Sequence, residues 1–233
     1  MSDFKLGRGR LPQFTRRRVL RAGTGMAGAA LIPGLAGVRW AHAQDKSPIG
    51  TWPAGTEGDT VYIGGAVPLT GTYAVQGEDE RKGMQLAIEH INNNHELMKI
   101  LAPRIDKGVL GKKVAFEYAD SAAKPNQALQ VQQTFINQHK IIAMIGSTSS
   151  AVAVASNKFA QREKIIYMAG ISGSNDTTGK DCVRYGFRQN FFGEMAANAI
   201  GPVLVKNFGK GRKAAFMTPD YTYGHTTTKS VAD

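Results

Sequence analysis

Short apolar segments alternate with segments of helical periodicity along most of this chain, and this alternation restricts the fold more than any other feature. Six segments have the apolar composition of buried strands: Thr60–Val67, Val114–Ala119, Ile141–Ile145, Ile165–Met168, Val183–Arg188 and Lys213–Thr218. Helical patterns separate most of them, and helical crossovers join parallel strands. The sequence therefore predicts an α/β fold with a doubly wound parallel sheet.

The helices predicted between these strands have one apolar face each. The first presents Met84, Ala87, Ile88 and Ile91 at helical spacing and ends at residues 92–94. The second opens with Pro125, a proline suited to a first helical turn, and its inner face is Ala128, Val131, Phe135 and Ile136. Two further helices are predicted at Ala151–Glu163 and Phe192–Phe208.

Four loops that follow predicted strands are rich in hydroxyl, glycine and tyrosine residues. In doubly wound sheets, ligands bind at the carboxyl ends of the strands, near the point where the strand order reverses. We therefore expect these loops to form one small-molecule cleft: Leu69–Gly77, Ser147–Ser150, Gly170–Thr178 and Asp220–Gly224.

The segment Ile141–Ala151 reads as a strand, a tight turn at Gly146 and a helix start carrying four hydroxyl residues. Such a turn offers free backbone N–H groups at the positive end of a helix dipole, and this favours a small anion such as a carboxylate. Alternatively, Ser149 and Ser150 only cap the helix. The three other strand-end loops favour ligand binding.

The basic charge of the chain is concentrated at its amino terminus. Residues 1–44 hold eight basic residues and one acidic residue, whereas the rest of the chain holds 21 basic and 17 acidic residues. The remainder therefore has an ordinary surface charge, without the basic stripe interleaved with aromatic residues that is typical of nucleic-acid binding. Nucleic acid is not expected as a partner.

Residues 1–43 resemble a twin-arginine export signal. Arg16 and Arg17 precede an uncharged stretch from Ala22 to Val38, and a small-x-small cleavage pattern ends at Ala43. The alternative is a single-pass anchor, but Pro33 and five glycines make the stretch weakly hydrophobic. We expect cleavage near Ala43, the twin-arginine export machinery as a partner and a periplasmic mature protein with a flexible lead-in at residues 44–59.

The sequence lacks the patterns expected for catalysis, a cofactor or a metal. No Gly-x-Gly-x-x-Gly turn or Walker lysine follows a strand, and Gly170–Gly173 does not fit the Gly-x-Ser-x-Gly elbow. No His, Cys, Asp or Glu cluster has the spacing of metal ligands, and His225 has no catalytic partner. A binding protein without cofactor or metal is therefore favoured over an enzyme. The single cysteine, Cys182, is either free or paired outside this chain.

Several motifs, in order and spacing, resemble those of the type I periplasmic binding proteins, in particular the branched-chain amino acid and amide branch of ABC-transporter substrate-binding proteins. The resemblance runs from about Val61 to Gly224. It is carried by Pro68–Gly71, Gln76–Gly77, Gly83, Ala87–Asn92, Asp120 with Pro125, Gly146 with Ser150 and Ala155, Thr178–Gly179 with Cys182, Tyr185 with Phe187–Arg188, and Asp220–Tyr221 with Tyr223–Gly224.

This resemblance implies two Rossmann-like lobes that close on a ligand. Residues 60–188 would form the first lobe and residues 189–233 the start of an incomplete second lobe, which we expect to leave apolar helix faces uncovered. The family's ligand-binding positions map onto Gln76, Ser149, Ser150, Ile171, Gly173 and Tyr223, with Ser172 and Ser174 as further candidates. For Tyr223 the alternative is a packing role.

The resemblance also implies a function: capture of an amino acid, an amide or a similar small carboxylate and its delivery to the permease of an ABC importer. Two alternatives remain open from the residues: a ligand-sensing periplasmic domain that signals through a partner, and an exported enzyme that uses the same cleft. The chain departs from the family pattern by a longer connection at His95–Lys107 and by stopping at Asp233, where family members continue.

Overall fold

The computed structural model describes residues 52–103 and 106–233. Within these residues, five strands pair in parallel in the order β2-β1-β3-β4-β5. The chain passes from β1 outward to β2 and then continues from β3 on the other side, so the strand order reverses between β1 and β3. This arrangement confirms the predicted α/β fold. The strands are β1 (Thr60–Val67), β2 (Lys113–Asp120), β3 (Ala143–Ile145), β4 (Ile166–Ala169) and β5 (Gly186–Arg188).

Six α-helices accompany the sheet in the described part of the chain. Pro125 begins α3 at its first turn, and Lys140 and Lys164 end α3 and α4 in the left-handed conformation. A 3₁₀ turn, Asn175–Thr177, follows β4. The helices are α1 (Ala74–Asn92), α2 (Glu96–Leu101), α3 (Pro125–His139), α4 (Ser150–Glu163), α5 (Gly193–Phe208) and α6 (Thr222–Ala232).

The core lies between the sheet and helices α3 and α4. Ala128 and Phe135 of the predicted α3 face are buried, and Val131 and Ile136 pack beside them. The main cluster of buried apolar residues comprises Phe135, Ile141, Met144, Ala153, Phe159, Ala160, Ile165, Tyr167 and Ala169. Helix α1 packs against β1 and β2, but its predicted apolar face is only partly covered, and Ala87 is exposed.

Three predicted elements differ from the structure. The loop predicted at Leu69–Gly77 turns helical at Ala74, and the loop predicted at Asp220–Gly224 turns helical at Thr222, so Gln76 and Tyr223 lie in first helical turns. Lys213–Thr218 forms no strand. Among the described residues no strand pairs with this segment, and a strand is stable only when its backbone is paired.

Helix α5 exposes much of its apolar surface. Exposed side chains occur around the helix, including Met195, Ile200, Val203, Leu204 and Phe208. The predicted uncovered helix face is therefore present in the described part of the chain. Within the same part, no helix has the length and apolar character needed to span a bilayer. The predicted export signal, residues 1–43, lies outside the described residues.

Candidate ligand-binding cleft

A cleft of about 160 Å³ lies at the carboxyl ends of β1, β3 and β4, beside the point where the strand order reverses. This is the edge at which doubly wound sheets bind their ligands. A larger cavity of about 680 Å³ lies at the opposite, amino-terminal edge and contains none of the predicted site residues. The cleft is lined by Tyr73, Gln76, Thr148, Ser150, Ile171, Gly173, Phe191, Tyr221 and Tyr223.

Five of the eight predicted site residues come together in this cleft. Four segments supply these five residues. The start of α1 supplies Gln76, the start of α4 supplies Ser150, the loop after β4 supplies Ile171 and Gly173, and the start of α6 supplies Tyr223. Because these four segments converge there, the four predicted loops do form a common cleft, although the loop at Asp220–Gly224 does not follow a strand.

The turn between β3 and α4 forms the polar wall of the cleft. Ser149 occupies the position before α4, yet its side chain makes no capping hydrogen bond. The Ser147 hydroxyl donates instead to the Ser149 carbonyl oxygen (3.1 Å), and the Ser150 hydroxyl oxygen accepts from the Ser174 backbone N–H (3.2 Å). The capping interpretation is therefore wrong for Ser149, and the amides at the start of α4 are not occupied by its hydroxyl.

The other three predicted residues, Ser149, Ser172 and Ser174, are buried and do not line the cleft. The Ser172 backbone N–H donates to the Ser147 carbonyl oxygen (3.1 Å), which ties the loop after β4 to the loop after β3. The Ser174 hydroxyl lies 2.9 Å from the Thr222 hydroxyl at the start of α6. In this structure Ser172 and Ser174 thus connect the segments that carry the lining residues.

Aromatic residues form a second wall of the cleft, which the loop composition alone does not reveal. Tyr73, Phe191 and Tyr221 join Tyr223 around the cleft. The Tyr73 hydroxyl donates to the Tyr221 hydroxyl (3.0 Å), and the Tyr221 and Tyr223 ring centroids lie 6.1 Å apart. Burial, reinforced by the contact with Tyr73, raises the pKa of Tyr221, so its phenol is neutral at physiological pH.

Two charged residues hold the loops that carry the cleft. The Asp120 carboxylate accepts hydrogen bonds from the Leu69 backbone N–H (2.7 Å) and the Thr70 hydroxyl (2.5 Å), which fixes the loop after β1. Burial opposes ionisation of Asp120, but these donors outweigh it and lower the pKa of the carboxyl. The Arg188 guanidinium donates to the Ser174 carbonyl oxygen (2.5 Å) and thereby fixes the loop after β4.

Thr148, a cleft residue missing from the predicted set, donates a hydrogen bond to the buried carboxyl of Glu80 on α1 (3.1 Å). Burial raises the pKa of Glu80 to about 7. Glu80 was missed because it stands in the charged run at residues 78–82, a pattern typical of an exposed helix surface. Tyr73 and Tyr221 are missing from the predicted set because the sequence does not indicate which way a loop aromatic faces.

The cleft offers hydroxyl and amide donors on one side and aromatic surface on the other. This combination suits a small molecule with an anionic or polar head and an apolar body. Within the described residues, no group of three or more His, Cys, Asp and Glu side chains could hold a metal ion. His225 is exposed beside Asp220 (3.1 Å) and does not line the cleft. Cys182 is exposed and unpaired in this structure.

Comparisons with known proteins agree with this architecture. A family model described as periplasmic binding protein matches residues 60–233. Leu/Ile/Val-binding protein homolog 8 of Brucella abortus is 26% identical over 171 residues, which are 70% of this chain and 39% of that protein. Leu/Ile/Val-binding protein BraC3 of Rhizobium johnstonii is 26% identical over 176 residues, which are 74% and 42% of the two chains. The chain thus spans about two-fifths of these relatives.

Solved structures share the fold. A solute-binding protein of an ABC transporter from Rhodopseudomonas palustris BisB5, in complex with 3,4-dihydroxybenzoic acid, superposes with a TM-score of 0.61 at 24% identity, covering 75% of this chain and 43% of that one. LivJ from Streptococcus pneumoniae, in complex with isoleucine, gives 0.62 at 20% identity, covering 74% and 46%. The chain therefore belongs to the type I periplasmic binding protein family, in which its relatives are Leu/Ile/Val-binding proteins.

Proposed function

We propose that this chain is part of an exported solute-binding protein that captures an amino acid, an amide or a similar small carboxylate between two lobes and delivers it to the permease of an ABC importer. The ligand class comprises amino acids, amides and similar small acids, including aromatic acids. Residues 60–188 supply the first lobe in this proposal, and residues 189–233 begin the second.

The observation that carries the proposal is the placement of Thr148 and Ser150, at the start of α4, in the same cleft as four aromatic residues. A helix start favours a negative charge through its free N–H groups and its dipole. Aromatic rings favour the apolar body of the ligand and bind it with little loss of side-chain freedom. A carboxylate with a branched or aromatic body satisfies both walls.

The known relatives support this ligand class. Relatives are described as Leu/Ile/Val-binding proteins, and two structural neighbours hold 3,4-dihydroxybenzoic acid and isoleucine. Both of these ligands join a carboxylate to an apolar body. For the whole protein we propose, from the same relatives, that two lobes enclose the ligand, that a permease receives it and that no reaction is catalysed.

We also propose that the mature protein works in the periplasm after export by the twin-arginine machinery. The basis is the Arg16–Arg17 pair with the Ala41–Ala43 cleavage pattern. Changing both arginines to lysine is expected to leave the full-length precursor in the cytoplasm, while the unchanged chain yields a periplasmic form that begins near Gln44. Export of the double-lysine variant at the normal rate would contradict this route.

A thermal-shift screen of the folded chain tests the binding function. Leucine, isoleucine, 3,4-dihydroxybenzoate and acetamide are suitable probes. We expect at least one carboxylate to raise the midpoint of unfolding in a concentration-dependent way, because a ligand that binds only the native state stabilises it. A Tyr223→Ala variant, which lacks one aromatic wall residue, is expected to lose most of the shift. A cooperatively folded chain that responds to no member of a broad amino acid, amide and aromatic acid panel would contradict the proposal.

A further inference from the structure

Glu80 is a buried carboxyl directly behind the polar wall of the cleft. Glu80 as a whole is only 8% exposed to solvent. Oε2 accepts a hydrogen bond from the Thr148 hydroxyl (3.1 Å), whereas Oε1 is buried and has no hydrogen-bond partner. None of the ion pairs in the described part of the chain includes Glu80. A carboxylate removed from water without a counter-charge is disfavoured, so this site favours the protonated form.

The surroundings of Glu80 supply little to offset that burial. On its own helix, Arg81 is already paired with Glu78 (2.5 Å). From β4 the buried Tyr167 phenol faces it as a neutral group whose pKa is raised by burial and by the Glu80 charge. From the loop after β4 come Gly170 and Ile171. The Ile171 amide favours the ionised form of Glu80, yet Oε1 still has no hydrogen-bond partner.

The Glu80 carboxyl lies against two of the loops that line the cleft. A Cβ atom on Gly170 would lie 1.8 Å from Glu80 Oε1, so the Glu80 carboxyl lies directly against the Gly170 backbone and would have to move to admit a larger residue. The Gly170 backbone N–H donates to the Gly146 carbonyl oxygen (3.2 Å), which joins the loop after β4 to the turn that contains Thr148. Glu80 therefore contacts both loops that supply the polar wall.

The protonation state of Glu80 determines what Thr148 can offer a ligand. An ionised carboxylate only accepts hydrogen bonds, so the single Thr148 hydroxyl proton is committed to Glu80. A protonated Glu80 can donate its own proton to the Thr148 oxygen, and the Thr148 proton is then free to donate into the cleft. A bound anion also repels an ionised Glu80 through the wall of the cleft, and this repulsion likewise favours protonation of Glu80 when the anion binds.

We propose that Glu80 is a positioning residue that takes up one proton from solvent when a carboxylate binds in the cleft, because only then can Thr148 donate to that carboxylate. This linkage rests on the proposed function. It predicts affinity that is independent of pH below neutrality and that falls by up to tenfold per pH unit above about pH 7.

Calorimetric titrations of the full chain with leucine and with 3,4-dihydroxybenzoate, between about pH 6 and 8.5, test this linkage; both carboxylates stay ionised there. In the wild type we expect the predicted loss of affinity and, near pH 7.5, net uptake approaching one proton measured in buffers of different ionisation enthalpy. Glu80→Gln presents an amide N–H to Thr148 at every pH, so its affinity is expected to be independent of pH and to match the wild type at low pH.

Glu78→Gln is the matched control on the same helix. The Arg81 hydrogen bond lowers the pKa of Glu78 to about 2, so this group does not titrate in the range tested, and the variant is expected to keep the wild-type profile. Should Glu80→Gln not fold, Thr148→Val removes the hydroxyl that links Glu80 to the cleft. This variant is expected to bind more weakly at low pH and to show a smaller change of affinity with pH. Thr148→Ser keeps the hydroxyl and is expected to keep the wild-type affinity and pH dependence.

The outcomes separate the two proposals. Binding with the same pH slope in the wild type and in Glu80→Gln, or without proton uptake, would overturn the linkage and leave the carboxylate receptor standing. Failure of the folded wild type to bind any carboxylate of the broad thermal-shift panel at any pH would overturn the proposed ligand class, and the linkage with it.

Discussion

The hydroxyl of Tyr73 donates a hydrogen bond to the hydroxyl of Tyr221 across 3.0 Å. The two residues lie 148 positions apart and precede helices α1 and α6. Both line the cleft. Because α1 packs on β1 and β2 while α6 packs against α4, α5 and the 3₁₀ turn, this contact joins two parts of the chain beside the cleft.

A double-mutant cycle on this pair measures the contact. Tyr73→Phe and Tyr221→Phe are each expected to lower the free energy of unfolding by about 0.5–1.5 kcal/mol, with much of the loss shared between them, because each change removes the same hydrogen bond. Tyr223→Phe is the control, since the Tyr223 hydroxyl makes no hydrogen bond with the described residues. Strictly additive losses in denaturant unfolding would show that the contact carries no energy.

Gly77→Ala is expected to destabilise the protein by about 1–3 kcal/mol, the usual range for overpacking. A Cβ atom at Gly77 would lie 1.7 Å from the Pro68 carbonyl oxygen, and backbone cannot rotate away as a side chain does. Gly83→Ala, on the same helix with nothing within 4 Å of its Cβ position, is the control and is expected to be stabilising by about 0.5–1 kcal/mol. If Gly77→Ala and Gly83→Ala changed the free energy of unfolding in urea equally, the close approach of α1 to the end of β1 would be contradicted.

Ser150 and Ser149 are expected to differ in their effect on stability, because only the Ser150 hydroxyl accepts a backbone hydrogen bond. Ser150→Ala leaves the buried Ser174 N–H without its acceptor, and we expect a loss of about 1–3 kcal/mol. Ser149→Ala removes no capping hydrogen bond, so a loss below about 0.5 kcal/mol is expected. Chemical denaturation of both variants checks this order. A larger loss in Ser149→Ala would restore the capping interpretation.

The stability of the fold is expected to depend on pH through Glu80. Its pKa is raised by burial from 4.5 to about 7 in the native state, so the native state holds a proton that the unfolded chain releases between these values. The contribution of Glu80 to stability is therefore largest below about pH 4.5 and is lost as pH rises to about 7, a change of about 3 kcal/mol. The measurement is the difference in unfolding free energy between wild type and Glu80→Gln as a function of pH. The contributions of the other carboxyl groups are common to both proteins and cancel in this difference. A difference that does not change over this range would contradict a buried, protonated Glu80.

Much of the sheet could be predicted because apolar strands and amphipathic helices carry their own periodicity. The inner face of α3, with Ala128 and Phe135, was identified this way and is buried. Lys213–Thr218 shows the limit of this reasoning. Its composition is that of a strand, but a strand also requires a paired neighbour, and the composition of the segment does not reveal whether one is present.

The cleft was only partly predictable for a related reason. Gln76, Ser150 and Gly173 follow strands, and the carboxyl ends of parallel strands meet at one edge, so their meeting could be inferred. Tyr73, Phe191 and Glu80 depend on the direction in which each side chain points. That direction is set by packing of α1 and of the loop after β5, which no local pattern encodes. Glu80 in particular stands among four other charged residues, yet it is buried where Gly170 and Thr148 lie against it.

The central claim is that the cleft beside Thr148 and Ser150 binds a carboxylate. The most direct test is calorimetric titration of the folded chain at pH 6.5 with paired acids and alcohols: leucine against leucinol, and 3,4-dihydroxybenzoate against 3,4-dihydroxybenzyl alcohol. At least one acid is expected to bind, and its alcohol to bind tenfold or more weakly, because charge-assisted hydrogen bonds are worth about 1.5–3 kcal/mol. An alcohol that binds as tightly as its acid would contradict the claim.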